Sequence, residues 1–140
     1  MILVTAANGN QGKLLCPKLI EAGFSVRACV RSEDSAVKLR AMGVHDVVVG
    51  DMADRAVFER AMDGVDKVYH IGPTAHPNER AMGFAAIDAA VAKGVKHFVF
   101  SSVLHAIVTD LVQHEIKRDI EEYLISVRRQ RQWHRFEVVN

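Results

Sequence analysis

A chain of 140 residues has room for one domain of ordinary size and no second one. With 49% hydrophobic and 25% charged residues it has the make-up of a folding globular chain, which excludes disorder, collagen-like repetition and a disulfide scaffold. A formal charge of +1 is too balanced for nucleic acid or an anionic membrane as main partner, and without an 18-residue apolar window or a signal-peptide pattern the expected location is cytoplasmic.

A strand over residues 1–5 (β1) opens the chain, and then one pattern recurs four times: an amphipathic stretch, a glycine, a short run rich in β-branched residues. The predicted elements are α1 (11–22), β2 (25–30), α2 (35–41), β3 (46–49), α3 (55–62), β4 (67–71), α4 (79–93), β5 (96–100) and α5 (110–127). Gly23, Gly43, Gly64 and Gly94 end the first four helices, where a left-handed cap suits glycine, and the valine-rich runs suit strands covered on both faces. This alternation predicts an α/β fold: a doubly wound parallel sheet of five or six strands with helices on both faces, the Rossmann arrangement. In α5, Val112, Ile116, Ile120, Tyr123, Leu124 and Val127 form an apolar stripe, and Thr109 or Asp110 can cap its start.

Residues 1–127 read as the domain and 128–140 as a basic tail, in which Arg128, Arg129, Arg131 and Arg135 outweigh Glu137. Within the tail, 136–139 is either a short sixth strand beside β5 or a frayed extension. Cys16 and Cys29 sit in apolar segments without Cys-x-x-Cys spacing and read as buried, reduced thiols. The histidine spacing suggests no metal site.

The opening MILVTAANGNQGKLLCPKLIEAG is a strand, a turn with two glycines and a helix. Backbone N–H groups and the positive end of a helix dipole can hold a pyrophosphate at such a turn, so a dinucleotide is the expected ligand. The turn offers Thr5, Ala6, Asn8, Gly9, Asn10, Gln11 and Gly12. A side chain at Gly12 is expected to block binding and leave the fold intact. TAANGNQG, together with VRACVRSEDS, VVVGDMAD and FVFSSV, resembles the NmrA-like family of atypical short-chain dehydrogenase/reductases, whose opening motif is commonly T-G-A-T-G-N-Q-G. The resemblance covers residues 1–127. Ala6 departs from it, placing a methyl where the motif has its first glycine, at a cost of about 1 kcal/mol if φ is positive there.

Arg31, just past β2, stands where an acid would bond the ribose of NAD, and an arginine there accommodates a 2′-phosphate, so NADP(H) is favoured over NAD(H). Arg27 and Lys38 are nearby basic candidates; Glu33 and Asp34 come too late. The resemblance implies that Asp51 and Met52 contact the adenine, with an N-cap-like turn as the alternative for Asp51, and that Gly72 and Pro73 pass the ribose and diphosphate, with a plain loop as the alternative for these two.

Reductases of the wider superfamily pair a serine after β5 with Tyr-x-x-x-Lys. Ser101, Ser102 and Lys117 are present, but Gln113 holds the tyrosine's position, leaving His105 or His114 as an acid near neutral pH. The resemblance implies an oxidoreductase moving hydride from NADPH to a quinone or similar carbonyl at Ser101, His105 and Lys117, or a redox-sensing regulator of a protein partner, or a shortened chain that does little. Family members are longer, and their C-terminal half helps build the substrate pocket. Binding is therefore expected to outlast catalysis, and the β5 flank is expected to self-associate.

Overall fold

The computed structural model describes residues 1–107, 110–131 and 135–139. Six strands, β1 (Ile2–Thr5), β2 (Val26–Val30), β3 (Asp46–Val49), β4 (Lys67–Ile71), β5 (His97–Ser101) and β6 (Arg135–Val139), form one parallel sheet in the order β3-β2-β1-β4-β5-β6. Helices α1 (Asn10–Glu21), α2 (Glu33–Ala41), α3 (Arg55–Ala61), α4 (Glu79–Ala92) and α5 (Val112–Arg131) connect them. This is the doubly wound arrangement expected, with the reversal of strand order between β1 and β4.

Strand alternation divides the core. Ile2, Val4, Ala28 and Val30 pack with Cys16, Ala36 and Leu39 beneath α1 and α2. Leu3, Cys29, Val68, Phe98 and Phe100 pack on the opposite face with Phe58, Ile87, Ile120 and Leu124 from α3, α4 and α5. Both thiols are buried and reduced, and desolvation pushes each up to about 11. The four helix-ending glycines all adopt positive φ, from 68° to 90°. At Gly83, α4 meets α5 so closely that a Cβ would lie 2.5 Å from Ile120 Cδ1. Among the described residues no helix is long and apolar enough to cross a membrane, and no group of three metal-ligating side chains occurs.

Three expectations change. Helix α5 does not end at residue 127 but continues to Arg131, with Arg128 and Arg129 in its last turns where cations favour the helix dipole. Arg128 then lies over the Phe136 ring, 4.9 Å from its centroid, which ties the helix end to β6. The second half of the tail is a strand paired with β5 from His97↔Arg135 to Ser101↔Val139, so β5 is not an exposed edge. Finally, α5 starts at Val112; Thr109 lies outside the described residues.

His70 on β4 is fully buried among Phe58, Phe98 and Phe100, with ring centroids 5.9–6.0 Å away. Its Nδ1 lies 3.0 Å from Thr5 Oγ1. Burial, reinforced by the Lys117 charge, lowers its pKa from 6.5 to about 3, so the ring folds neutral. The unfolded chain takes up this proton below about pH 6.5 while the folded chain does not until about pH 3, so stability is lost as pH falls through that window. His70→Leu is expected to flatten the fall of melting temperature between pH 6.5 and 4, measured by circular dichroism; an unchanged slope would contradict the assignment.

Candidate functional site

The connections leaving β1 and β4 turn to opposite faces of the sheet at the strand-order reversal, and two adjoining cavities open there, sharing Ala6 and Pro73. The larger, about 490 Å³, is lined by Gly9, Asn10 and Gln11 from the first turn, Gly72 after β4, and Ser101, His114 and Lys117 from the β5–α5 side. The smaller, about 200 Å³, is lined by Asn8, Arg31, Asp51, Met52, His76 and Met82.

The start of α1 differs from those of α2 and α3. Ser32 and Asp54 cap the latter two through their side chains, whereas Gly9 caps α1 with none; the first turn of α1, like that of α3, carries no acid. Its leading N–H groups and dipole are thus left for a ligand at the cavity wall. Gly9 N–H closes the turn on Ala6 O at 2.9 Å, and Ala6 has a φ of 44°, the positive value foreseen as a cost for alanine. Gly12 plays another part than expected. A Cβ there would lie 2.5 Å from both Cα and O of Ala7, so this glycine lets the helix rest on the strand exit and does not face the cleft. Thr5 is likewise withdrawn: it is buried, accepting from Ile71 N at 2.8 Å and standing 3.0 Å from Ile71 O.

At the smaller cavity Arg31 is exposed and makes no hydrogen bond or ion pair among the described residues. Arg27 is committed elsewhere, to Asp46 at 3.0 Å and to the carbonyls of Ala61 and Asp63. Lys38 lies in the last turn of α2 and lines neither cavity, and Glu33 pairs with Arg40. Asp51 does both things considered for it: Oδ1 accepts from Ala53 N at 2.9 Å, and the residue lines the cavity.

At the other end, Ser101 Oγ donates to Gln11 Oε1 at 2.9 Å, and Gln11 Nε2 donates to Tyr69 at 3.2 Å. Ser102 bonds Glu121. Lys117 is buried and forms an ion pair with buried Glu79 at 2.8 Å; its Nζ also lies 3.4 Å from Ser101 O and 5.1 Å from the Phe100 centroid. Neither Glu79 oxygen makes a well-aligned hydrogen bond, so the ion pair is what compensates that carboxylate. Gly72 covers the pair, since a Cβ there would lie 3.1 Å from Lys117 Nζ. Ser101 and Lys117 thus come together, but His105 does not join them. It stands on an exposed turn at φ 57°, its carbonyl 3.0 Å from His114 Nδ1, and His114 lines the cavity instead. Glu79 and Tyr69 were not anticipated; both act through contacts between residues distant in sequence.

A groove of about 520 Å³ between α3, α4 and α5 is also present, but its cations are already paired, Arg55 with Asp88 and Lys93 with Asp63. The strand-end cleft is the better anion site. The sequence model of the NmrA-like family matches residues 1–131. The chain belongs to the NmrA-like family. It is 37% identical over 113 residues to an NAD(P)H azoreductase of Xenophilus azovorans, covering 81% of this chain and 39% of that one. Its fold superposes on an NADPH-dependent quinone oxidoreductase of Escherichia coli complexed with NADPH (TM-score 0.80, 29% identity, 90% of this chain, 45% of that one). A Citrobacter triphenylmethane reductase complexed with NADP(H) gives the same TM-score, 0.80, at 26% identity over 89% of this chain and 45% of that one. The chain therefore spans about two fifths of the length of the azoreductase and less than half of each of these structures.

In this NmrA-like chain Gly12→Val is expected to destabilise the fold by at least about 1–3 kcal/mol, the ordinary cost of overpacking, in urea denaturation. Unchanged stability would remove the close-packing role.

Proposed function

We propose that this chain binds NADP(H) across the strand-end cleft and supplies the cofactor-binding part of a reductase that passes hydride to a quinone or similar carbonyl. The observation that carries the reading is an α1 N-terminus with no side-chain cap, close to an arginine that has no partner among the described residues. A ligand bearing a diphosphate and a separate 2′-phosphate would satisfy both. Gly9, Asn10 and Gln11 would hold the diphosphate, Arg31 the 2′-phosphate, and Asp51 with Met52 the adenine. Gly72, whose missing side chain leaves room for the buried ion pair beneath it, would present its backbone to the ribose.

Bound there, NADPH supplies a hydride. The side chains around the larger cavity are suited to holding and orienting more than to delivering a proton. Ser101 gives its hydroxyl proton to Gln11, Lys117 is committed to Glu79, and Gln113 has no proton of comparable acidity to donate. An acceptor that takes hydride without a strong acid, such as a quinone, fits this set, with His114 also at the cavity wall. The similarity to an azoreductase and to a quinone oxidoreductase favours a reductase over a regulator.

Calorimetric titration with NADPH and NADH tests the cofactor assignment. A charge-assisted contact of about 1.5–3 kcal/mol corresponds to roughly 10- to 150-fold tighter binding of NADPH, and Arg31→Asp is expected to abolish or reverse that ratio. Equal affinities in the parent, or an unaltered ratio in the variant, would overturn the assignment; consumption of NADPH on adding a quinone tests the reaction.

A further inference from the structure

The smaller cavity has one polar side chain to which neither the turn motif nor the β2 arginine assigns a part. His76, in the loop between β4 and α4, lines this cavity together with Arg31 and Asp51. Three hydrogen bonds fix it. Its N–H donates to Pro73 O at 3.2 Å, its carbonyl accepts from Glu79 N at 3.0 Å, and its Nδ1 accepts from Asn78 N at 3.1 Å. The preceding Ala75 holds a φ of 63°, a left-handed conformation that disfavours a residue with a Cβ. The ring is therefore held by its own loop before any ligand arrives.

The Asn78 contact also decides what the ring offers. With Nδ1 accepting, the neutral imidazole carries its proton on Nε2, which has no partner among the described residues. Val30, Met52 and Met82 supply apolar surface to the same cavity, suited to the face of a flat base. Asp51 has one oxygen taken by Ala53 N, leaving the other to accept. The polar inventory is thus a donor from His76, an acceptor from Asp51, the Arg31 guanidinium and the amide of Asn8, whose Nδ2 already donates to Ser35 Oγ at 3.0 Å. Adenine presents ring nitrogens that accept and an amino group that donates, and the 2′-phosphate takes the guanidinium.

We infer that His76 is a specificity-determining residue that donates from Nε2 to a ring nitrogen of adenine, reading the base while Arg31 reads the 2′-phosphate. The inference rests on the dinucleotide reading above and is tested with a probe lacking nicotinamide. Adenosine 2′,5′-bisphosphate is titrated calorimetrically into the parent, His76→Leu and His76→Gln. Loss of one neutral hydrogen bond is expected to weaken binding about 3- to 10-fold in His76→Leu. His76→Gln, with an amide that can accept from Asn78 N and donate to the base, is expected to stay within about twofold of the parent. The preference for the bisphosphate over adenosine 5′-monophosphate is expected to be the same in all three, since Arg31 sets it. Parent-like binding by His76→Leu, or a changed preference, overturns the role of His76 and leaves the dinucleotide reading standing. A parent that binds neither the bisphosphate nor NADPH overturns both. Should His76→Leu fail to fold, nitrogen-15 spectra of the parent's histidines decide: a shift of His76 Nε2 on adding the bisphosphate supports the contact, and an unmoved resonance overturns it.

Discussion

Gly12 against Ala7 is the contact on which the cleft depends. A hydrogen in place of a side chain lets the first turn of α1 settle on the end of β1, where a Cβ would stand 2.5 Å from backbone atoms. That approach sets the direction of the helix, hence where its free N–H groups point, and it closes the Ala6–Gly9 turn on which they sit. Because the helices that follow β1 and β4 pack on opposite faces of the sheet, the same turn also faces an open crevice rather than a covering helix. Thr5 secures the floor by spending its hydroxyl on Ile71 across the two strands. Ala6 shows how firmly the surroundings impose this geometry, since alanine accepts a positive φ there.

The far end of the cleft is organised by a charge pair in place of a proton donor. Lys117 occupies the lysine position of the superfamily motif, but its ammonium meets Glu79 beneath Gly72, with Phe100 against it. An isolated ammonium at 4% exposure would be costly, and the carboxylate from the first turn of α4 offsets that cost. The pair links α4, α5 and the end of β5 through Ser101 O. A pair placed in this way holds the walls of the cleft in register.

Much of this was legible in the chain because the signals are local. The four glycines after helices and the valine runs located the strands to within a residue or two, since each needs only its neighbours to act. Where boundaries moved, a tertiary or capping contact was responsible: α2 begins at Glu33 because Ser32 accepts from Ser35 N, and α5 runs on because Arg128 finds Phe136. Arg31 could be placed because a strand end fixes it. Glu79 could not be paired with Lys117, nor His76 with Arg31, because those partners come from separate crossovers of the sheet. His105 and His114 looked interchangeable in sequence; the loop turns one outward and the helix carries the other to the cavity.

The central claim is that one ligand spans the ends of β2, β1, β4 and β5. Titrating the nitrogen-15-labelled chain with NADPH and following every backbone amide tests it most directly. The account predicts shifts concentrated at residues 6–11, 31, 51–52, 72–76 and 101, with little change around Glu59, Asp88 and Lys93. Shifts confined to that α3–α4–α5 groove, or no shifts at saturating NADPH, would contradict it.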